Sequence, residues 1–517
     1  MLNSIQESPL YPIVNPKSIA FFGASNNFSA MGTSQFTSLR ALGFEGTIYP
    51  VHPKEDHVQN LKAYRSVLDL PEVPDLGILV VPTKVVSSIL EECGRKGIKH
   101  AIIVSGGFRE VGEEGADREQ ELIAIAHKYG IRFLGPNCIG VANPYQRLNT
   151  TFLRYSSEPG FIGMASQSGS FVTQMFNYLS RFSLGFSTAF SVGNEANIDI
   201  VDCMEYLGVC PHTKVIALYI EGIRRGREFV KVAQSIIPSK PIVAFYVGGS
   251  EIGRRAGFSH TGALAGSDQV YDGVFQQSGI IRAYSIAELF DMCWVLGSLP
   301  KPRGSRVIVQ THSGGPGAAA ADSCGREDFE LPTLSSDTIK KLAPFIPDTG
   351  SIQNPVDITF TKNPIDYFST IPTILLEEDN ADMLLIYFLV PPQMVQRALE
   401  SMGLSKDQAI KRGVELIHAQ GKSIARLLET HKKPIVGYTY RSIHEPFTKS
   451  LIDQGLPVFE GPERAVRALK ALVRYYNLRE RISSGIPHRE PRVKKYDDAE
   501  STNLSGDAFK SAAGDDE

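Results

Sequence analysis

Two observations predict that this sequence folds as an α/β chain of three consecutive parallel-sheet domains. Short apolar runs ending in Gly, Pro, Ser or Asn alternate with longer segments of helical spacing. The chain also has 517 residues, too many for one hydrophobic core and suited to about three domains.

The first unit, residues 8–145, carries the strand-like runs "SIAFFGAS", "GTIYPVH", "LGILVVP", "HAIIVSGG" and "IRFLGPN". Segments such as "VVSSILEECGRKG" would form crossover helices on both faces of a parallel sheet. The carboxyl ends of the strands then line one edge and form a ligand crevice. A second series, placed at residues 146–299, runs through "GFIGMAS", "FSTAFSVGN", "KVIALYIEG" and "PIVAFYVGG". The stretch "LPKPRGSR" reads as a linker. A third unit at residues 303–480 follows with "RVIVQTHSGGPGAAAADSC", "DMLLIYFLV", "KPIVGYTY" and "LPVFEG". Residues 481–517 have mixed charge and no hydrophobic period, which predicts a disordered tail.

Composition narrows the function classes. The chain is 42% hydrophobic and 21% charged with a net charge of −3, so no overall positive field draws it to nucleic acid or an anionic membrane. Six scattered cysteines form no CxxC pair, which disfavours a disulfide framework or zinc knuckle and predicts free thiols in a reducing compartment. No signal core and no apolar run of about 20 residues is present, so a cytoplasmic location is expected.

The first chemical signal is "SIAFFGASNNFSAMG", where Gly23 follows a strand and precedes a helix. Small residues there let a phosphate approach N–H groups at the positive end of the helix; a plain tight turn is the competing reading. The GxGxxG dinucleotide fingerprint is absent, and "GTIYPVHPK" supplies His52 and Lys54 where a nicotinamide site would have a carboxylate. A lysine there favours an extra phosphate, such as that of a 3′-phosphorylated adenosine.

Taken in order, "FFGAS", "YPVHPK", "VVP", "IVSGGFRE", "GPNCIG", "SQSGS", "LYIEG" and "SHTGALAGSD" resemble the α-subunit portion of the nucleoside-diphosphate-forming acyl-CoA synthetases. That superfamily includes succinyl-CoA synthetase and the ADP-forming acetyl-CoA synthetases. "SGGPGAAAAD" and "NPVDIT" extend the resemblance through the third unit, to about residues 8–480. It implies a Rossmann-like CoA-binding domain followed by two flavodoxin-like domains, the first of them bearing a phosphohistidine.

Residue by residue, the resemblance places Gly23, Ala24, Ser25 and Asn26 around the CoA pyrophosphate, with Lys54 facing phosphate. Val81 and Pro82 would flank the adenine or pantetheine path, followed by Ser105, Gly106 and Gly107. Asn137 and Cys138 would lie near the thiol end, although nothing adjacent to Cys138 would activate it as a nucleophile. His260 is identified as the phosphorylated histidine: neutral imidazole attacks phosphorus near pH 7, and the N–P bond breaks again readily. Glu221 is the candidate to orient that ring and stabilise its positive form, or else it pairs at the surface with Arg224 or Arg225. Ser166, Gln167, Ser168, Gly169, Ser170 and Gly262 would receive the phosphoryl group, with Thr173 near the carboxylate substrate.

The reaction implied is a relay joining a small carboxylic acid, CoA and ATP or GTP through an acyl phosphate and phosphorylated His260. Nothing in the sequence resembles the ATP-grasp module that binds the nucleotide with magnesium, so a β-type partner subunit and a hetero-oligomer are expected. No metal site is predicted on this chain. In the third unit, "THSGGPGAAAAD" admits a second nucleotide site or a loop that packs a helix or docks a partner. Many relatives carry a lysine and an arginine where Tyr246 and Gly249 stand, which leaves either Arg254 and Arg255 to supply the charge or a different acid as substrate. A non-catalytic CoA sensor or scaffold is the alternative; a nicotinamide oxidoreductase is a more distant one.

Overall fold

The computed structural model describes residues 2–153, 158–253, 266–359, 364–390 and 392–484. The first sheet contains β1 (Ser18–Phe22), β2 (Thr47–Val51), β5 (Leu76–Leu79), β6 (His100–Ile103) and β7 (Arg132–Leu134). A hairpin, β3 (His57–Val58) and β4 (Leu61–Lys62), stands apart from it. All five strands of the sheet are parallel, in the order β2-β1-β5-β6-β7. Both faces are covered, and the two-residue strand period sorts the side chains. Ile19, Phe21, Ile78 and Ile102 join one apolar cluster, while Ala20, Phe22, Leu79 and Ile103 join another.

The second sheet has seven strands, β14-β13-β12-β10-β11-β8-β9. Its parallel part comprises β10 (Ile162–Ser166), β11 (Phe186–Ser191), β12 (Val215–Ile220), β13 (Ile242–Tyr246) and β14 (Ile281–Ala283). The hairpin β8 (Gly140–Asn143) and β9 (Leu148–Asn149) extends it antiparallel along β11. The boundary expected at 145/146 therefore falls between two strands that both belong to the second sheet. The third sheet is parallel, in the order β16-β15-β17-β18-β19, from β15 (Val307–Thr311), β16 (Val356–Asp357), β17 (Met383–Tyr387), β18 (Ile435–Thr439) and β19 (Val458–Glu460).

Numbered within each sheet, the parallel strands follow one order, 2-1-3-4-5, in all three units. Each therefore reverses direction beside its first strand, which opens a crevice at the carboxyl ends there. The stretch "LPKPRGSR" joins the second unit to the third, and the helix Pro462–Ser483 then packs back against Ile286–Ser298. Across that contact Arg464 makes a two-pronged ion pair with Asp291, at 2.9 and 2.8 Å. Tyr475 donates to the Ile237 carbonyl at 2.9 Å, and Trp294 meets Phe459 edge-on. One apolar cluster runs from Leu10 to Leu478 and unites the units. The expected tail lies outside the described residues from 485 onward.

Asp291 is 6% exposed, and burial holds its carboxyl above the ordinary range despite Arg464. Asp291→Ala leaves the guanidinium half-buried without its partner and is expected to destabilise the packing of the second and third units by about 3 kcal/mol. A lowered midpoint in chemical denaturation followed by Trp294 fluorescence checks this.

Candidate active site

The first and second sheets present their carboxyl ends to one another because their edge loops pair through the main chain. Asn194 and Ala196 N–H donate to the Pro136 and Gly135 carbonyls at 2.9 and 3.1 Å. Gly193 has φ +58, and a Cβ there would lie 2.3 Å from the Pro136 oxygen, so only glycine permits this approach. The result is a cavity of about 320 Å3 shared by the two units. From the first it takes Met31, Val104, Arg109 and Asn137–Ile139; from the second, Gln167–Ser170, Gly193–Glu195, Glu221–Arg224 and Tyr271.

Along the first sheet edge, Gly23 leaves β1 with φ +95, and a Cβ there would stand 1.9 Å from the Val80 oxygen at the end of β5. The two strands thus pinch together at their reversal point, with Ala24 buried behind them. Ser25 and Asn26 are bound within the loop: Thr33 Oγ1 accepts from Ser25 N–H at 3.0 Å, and the Asn26 amide donates to the His57 carbonyl at 2.9 Å. Lys54 is exposed. Ser105 Oγ donates to the Val81 carbonyl, and Thr83 Oγ1 to Gly106, so the loops at Val81, Pro82, Ser105, Gly106 and Gly107 form one bonded group. These residues share an edge, but of the first-unit positions singled out in the sequence only Asn137 and Cys138 line the cavity.

In the second unit Ser168, Gly169 and Ser170 line the cavity where the helix Gly169–Ser180 begins, which sets its unpaired N-terminal N–H groups at the wall. Gln167 uses its whole amide on protein. Its Nε2 donates to Glu195 Oε2 at 2.8 Å and to the Gly222 carbonyl at 2.7 Å; its Oε1 accepts from Glu221 N–H and from Gly222 N–H. Ser166 is buried and bonded to Ser168, and Thr173, 3% exposed, donates to Ser170 within its own helix; neither lines the cavity. Glu221 directly follows β12 and lines the cavity. The two arginines considered as its surface partners are engaged elsewhere: Arg224 donates to the Asn194 and Glu195 carbonyls at 3.0 Å, and Arg225 pairs with Asp199 and Asp202. His260 and Gly262, with Arg254 and Arg255, lie outside the described residues.

Sequence reasoning passed over Arg109, Asn194, Glu195 and Tyr271. Asn194 donates to Glu110 Oε2 at 2.6 Å and Glu119 Oε2 at 2.9 Å, and accepts from Asn137 at 3.3 Å. Burial pushes both carboxyls upward; for Glu110 the bonds from Asn194 and the Gly107 and Phe108 N–H groups outweigh it, whereas Glu119 stays above its ordinary range. Glu195 is 6% exposed, and burial, reinforced by Asp199, pushes its carboxyl up to about 8. Arg109 faces Glu119 at 3.7 Å. Tyr271 accepts from Ile223 N–H and stacks on Tyr246 with ring centroids 3.6 Å apart, while Tyr246 donates to the Gly266 carbonyl at 2.8 Å. The only sequence signals were the strand-end fragments "SVGNEAN" and "GGFRE", too short to single out one side chain.

In the third unit the glycine loop packs into the fold. Tyr438 donates to the Pro316 carbonyl at 2.8 Å, and the His312 ring sits between Tyr367 and Tyr387. None of these residues lines the cavity. Among the described residues no helix is long and apolar enough to cross a membrane.

Three family models match in succession: a CoA binding domain over residues 17–144, a succinyl-CoA ligase like flavodoxin domain over 159–296, and a ligase-CoA domain over 307–442. The chain is 39% identical over 459 residues to the α subunit of ADP-forming acetate–CoA ligase II of Pyrococcus furiosus, covering 89% of this chain and 96% of that one. It is 35% identical to the ADP-forming 4-hydroxybutyrate–CoA ligase of Nitrosopumilus maritimus, covering 90% of this chain and 64% of the relative. Among solved structures, the apo acetyl-coenzyme A synthetase 1 of Ca. Korarchaeum cryptofilum superposes with a TM-score of 0.82 at 31% identity, over 93% of this chain and all of that one.

Cys138 lines the cavity but is 3% exposed, faces the Ile103 carbonyl, and has its thiol pushed up to about 12 by burial. Iodoacetamide at pH 7.5 is expected to leave it unmodified in the native chain and to alkylate it only after denaturation, as read by peptide mass spectrometry.

Proposed function

The chain belongs to the α-subunit type of the ADP-forming acid–CoA ligases, and from that premise we propose that it performs the acyl half of a phosphoryl relay. The His260 imidazole attacks the terminal phosphorus of a nucleoside triphosphate, an N–P bond forms, and the P–O bond to the nucleoside diphosphate breaks so that the diphosphate leaves. A carboxylate oxygen then attacks that phosphorus, the N–P bond breaks, and an acyl phosphate results. The CoA sulfur attacks the acyl carbon, the C–O bond to phosphate breaks, and acyl-CoA and phosphate leave. Stabilising the phosphate at both ends of the transfer keeps it near-reversible.

The observation that carries this reading is the shared cavity. It joins the strand-end loops of a CoA-binding unit to the first turn of the Gly169–Ser180 helix and to Glu221. CoA would lie along the edge from Gly23 to Asn137, its phosphates facing the N–H groups of the Gly23 loop and Lys54, and its thiol would reach the cavity. The Gly169 and Ser170 amides would hold the phosphoryl group, the Ser168 N–H being taken by Ser166 Oγ. Gln167 and Ser166 would shape this wall rather than touch the ligand, since their hydrogen bonds go to protein. Glu221 would orient the imidazole and stabilise its cationic form during transfer. The nucleotide, with magnesium, would be bound by a separate ATP-grasp subunit in a hetero-oligomer working in the cytoplasm, and the acid would be a small carboxylate.

The test uses the chain assembled with that partner. With labelled ATP and magnesium the wild-type complex should acquire acid-labile phosphate on this chain. His260→Ala should lose both label and acyl-CoA synthesis while binding CoA as before. CoA binding without any label in a wild-type complex would instead favour a sensor or scaffold. Gly23→Ala, forced against the Val80 carbonyl, should weaken CoA binding by about tenfold or more in calorimetry.

A further inference from the structure

Glu195 lines the cavity yet has no place in the relay as described. Its backbone is fixed in the left-handed region at φ +54, between the tight approach of Gly193 to Pro136 and the Arg224 guanidinium on its carbonyl. Each of its carboxyl oxygens faces an N–H donor: Ile200 N at Oε1 and Gln167 Nε2 at Oε2, both at 2.8 Å. The partners of Gln167 also fix which way its amide points. Gly222 O and Glu195 can only accept at one end, and the Glu221 and Gly222 N–H groups can only donate at the other.

We propose, on the phosphoryl-transfer reading above, that Glu195 is a positioning residue: it sets the sense of the Gln167 amide and thereby holds the Glu221–Gly222 main chain against the cavity. A carboxyl group accepts at both ends and satisfies Ile200 and Gln167 together. A carboxamide cannot, because its NH2 must meet one of two donors. If it meets Gln167, that amide turns over and its own NH2 is driven against the Glu221 and Gly222 N–H groups. The charged and titratable groups around the Glu195 carboxyl are Arg109, Asp199, Cys203, Arg224 and Tyr271. Among the described residues two N–H donors and no acceptor face the carboxyl, so its ionised form is the one this geometry fits, and burial raises the pH at which that form develops to about 8.

The experiment compares the wild-type complex with Glu195→Gln and with the exchanged pair Glu195→Gln/Gln167→Glu. In the exchanged pair the carboxamide oxygen at position 195 again accepts from Ile200, its NH2 donates to the carboxylate at position 167, and that carboxylate still accepts from Glu221 and Gly222; the Gly222 carbonyl loses its donor and faces a carboxylate oxygen instead, which limits the regain. Glu195→Gln is isosteric and is expected to lower kcat about tenfold, with KM for CoA and the melting temperature unchanged. The exchanged pair should regain part of that loss. The wild-type rate should rise as pH rises through about 8, where the accepting carboxylate forms, and the residual rate of Glu195→Gln should lack that limb. A wild-type kcat in Glu195→Gln, or an exchanged pair slower than the single variant, overturns the proposal. A wild-type complex that makes acyl-CoA yet never carries label refutes the histidine relay, and the kcat comparison still decides Glu195. If Glu195→Gln lowers the melting temperature, rescue of kcat by the exchanged pair supports positioning and absence of rescue overturns it.

Discussion

The site depends on one backbone contact, between the loop after β7 and the loop after β11. Four peptide groups from Gly135 to Ala196 interlock there, and the crossing point has no room for a side chain at Gly193. Without it the two sheets would each own a crevice of ordinary kind. With it, the crevice that suits a long phosphorylated ligand opens into the one that carries a helix N-terminus and a carboxylate. A ligand can then be gripped at its far end by one unit and react in the other, so binding energy remote from the reacting atoms is available to the chemistry.

Along the cavity wall and behind it, the carboxyls are differentiated by their donors. Glu110 is held ionised by two main-chain N–H groups and Asn194, Glu119 is left higher by burial, and Glu195 is pushed highest of the three. All three touch Asn194 or follow it in sequence, so a single loop controls the charge of the wall. That arrangement suits a pocket through which anions pass, since each carboxyl that stays neutral is one fewer repulsion at short range.

Much of this was legible in the sequence. Runs such as "SIAFFGAS" and "KVIALYIEG" are long, apolar and sharply ended, and each of the thirteen runs singled out contains a strand of the three sheets. What escaped were short strands such as β9, β14 and β16, together with the four-residue β8, whose pairing is set by tertiary neighbours rather than by any local period. The unit boundary blurred for the same reason, because β8 follows the first sheet in sequence and joins the second in space. At the site, the motif residues stand along one sheet edge and at one helix start, but what each of them bonds to needed coordinates. Gln167 looks like a ligand contact in "SQSGS" and is bonded to protein at both ends of its amide. Thr173 looks accessible and faces its own helix. Asn194 and Glu195 belong to a loop whose meaning appears only once the Gly135–Asn137 turn is laid against it.

The Tyr246–Tyr271 stack changes how such a pocket meets its ligands. The Tyr246 ring at the end of β13 backs the Tyr271 ring that lines the cavity. Both hydroxyls of the stack are already bonded to the main chain, one accepting from Ile223 and the other donating to Gly266, so this side of the wall offers a guest an outline and no charge. Ionic attraction is left to side chains elsewhere in the lining such as Arg109, which divides the pocket into a face that selects shape and a face that selects charge.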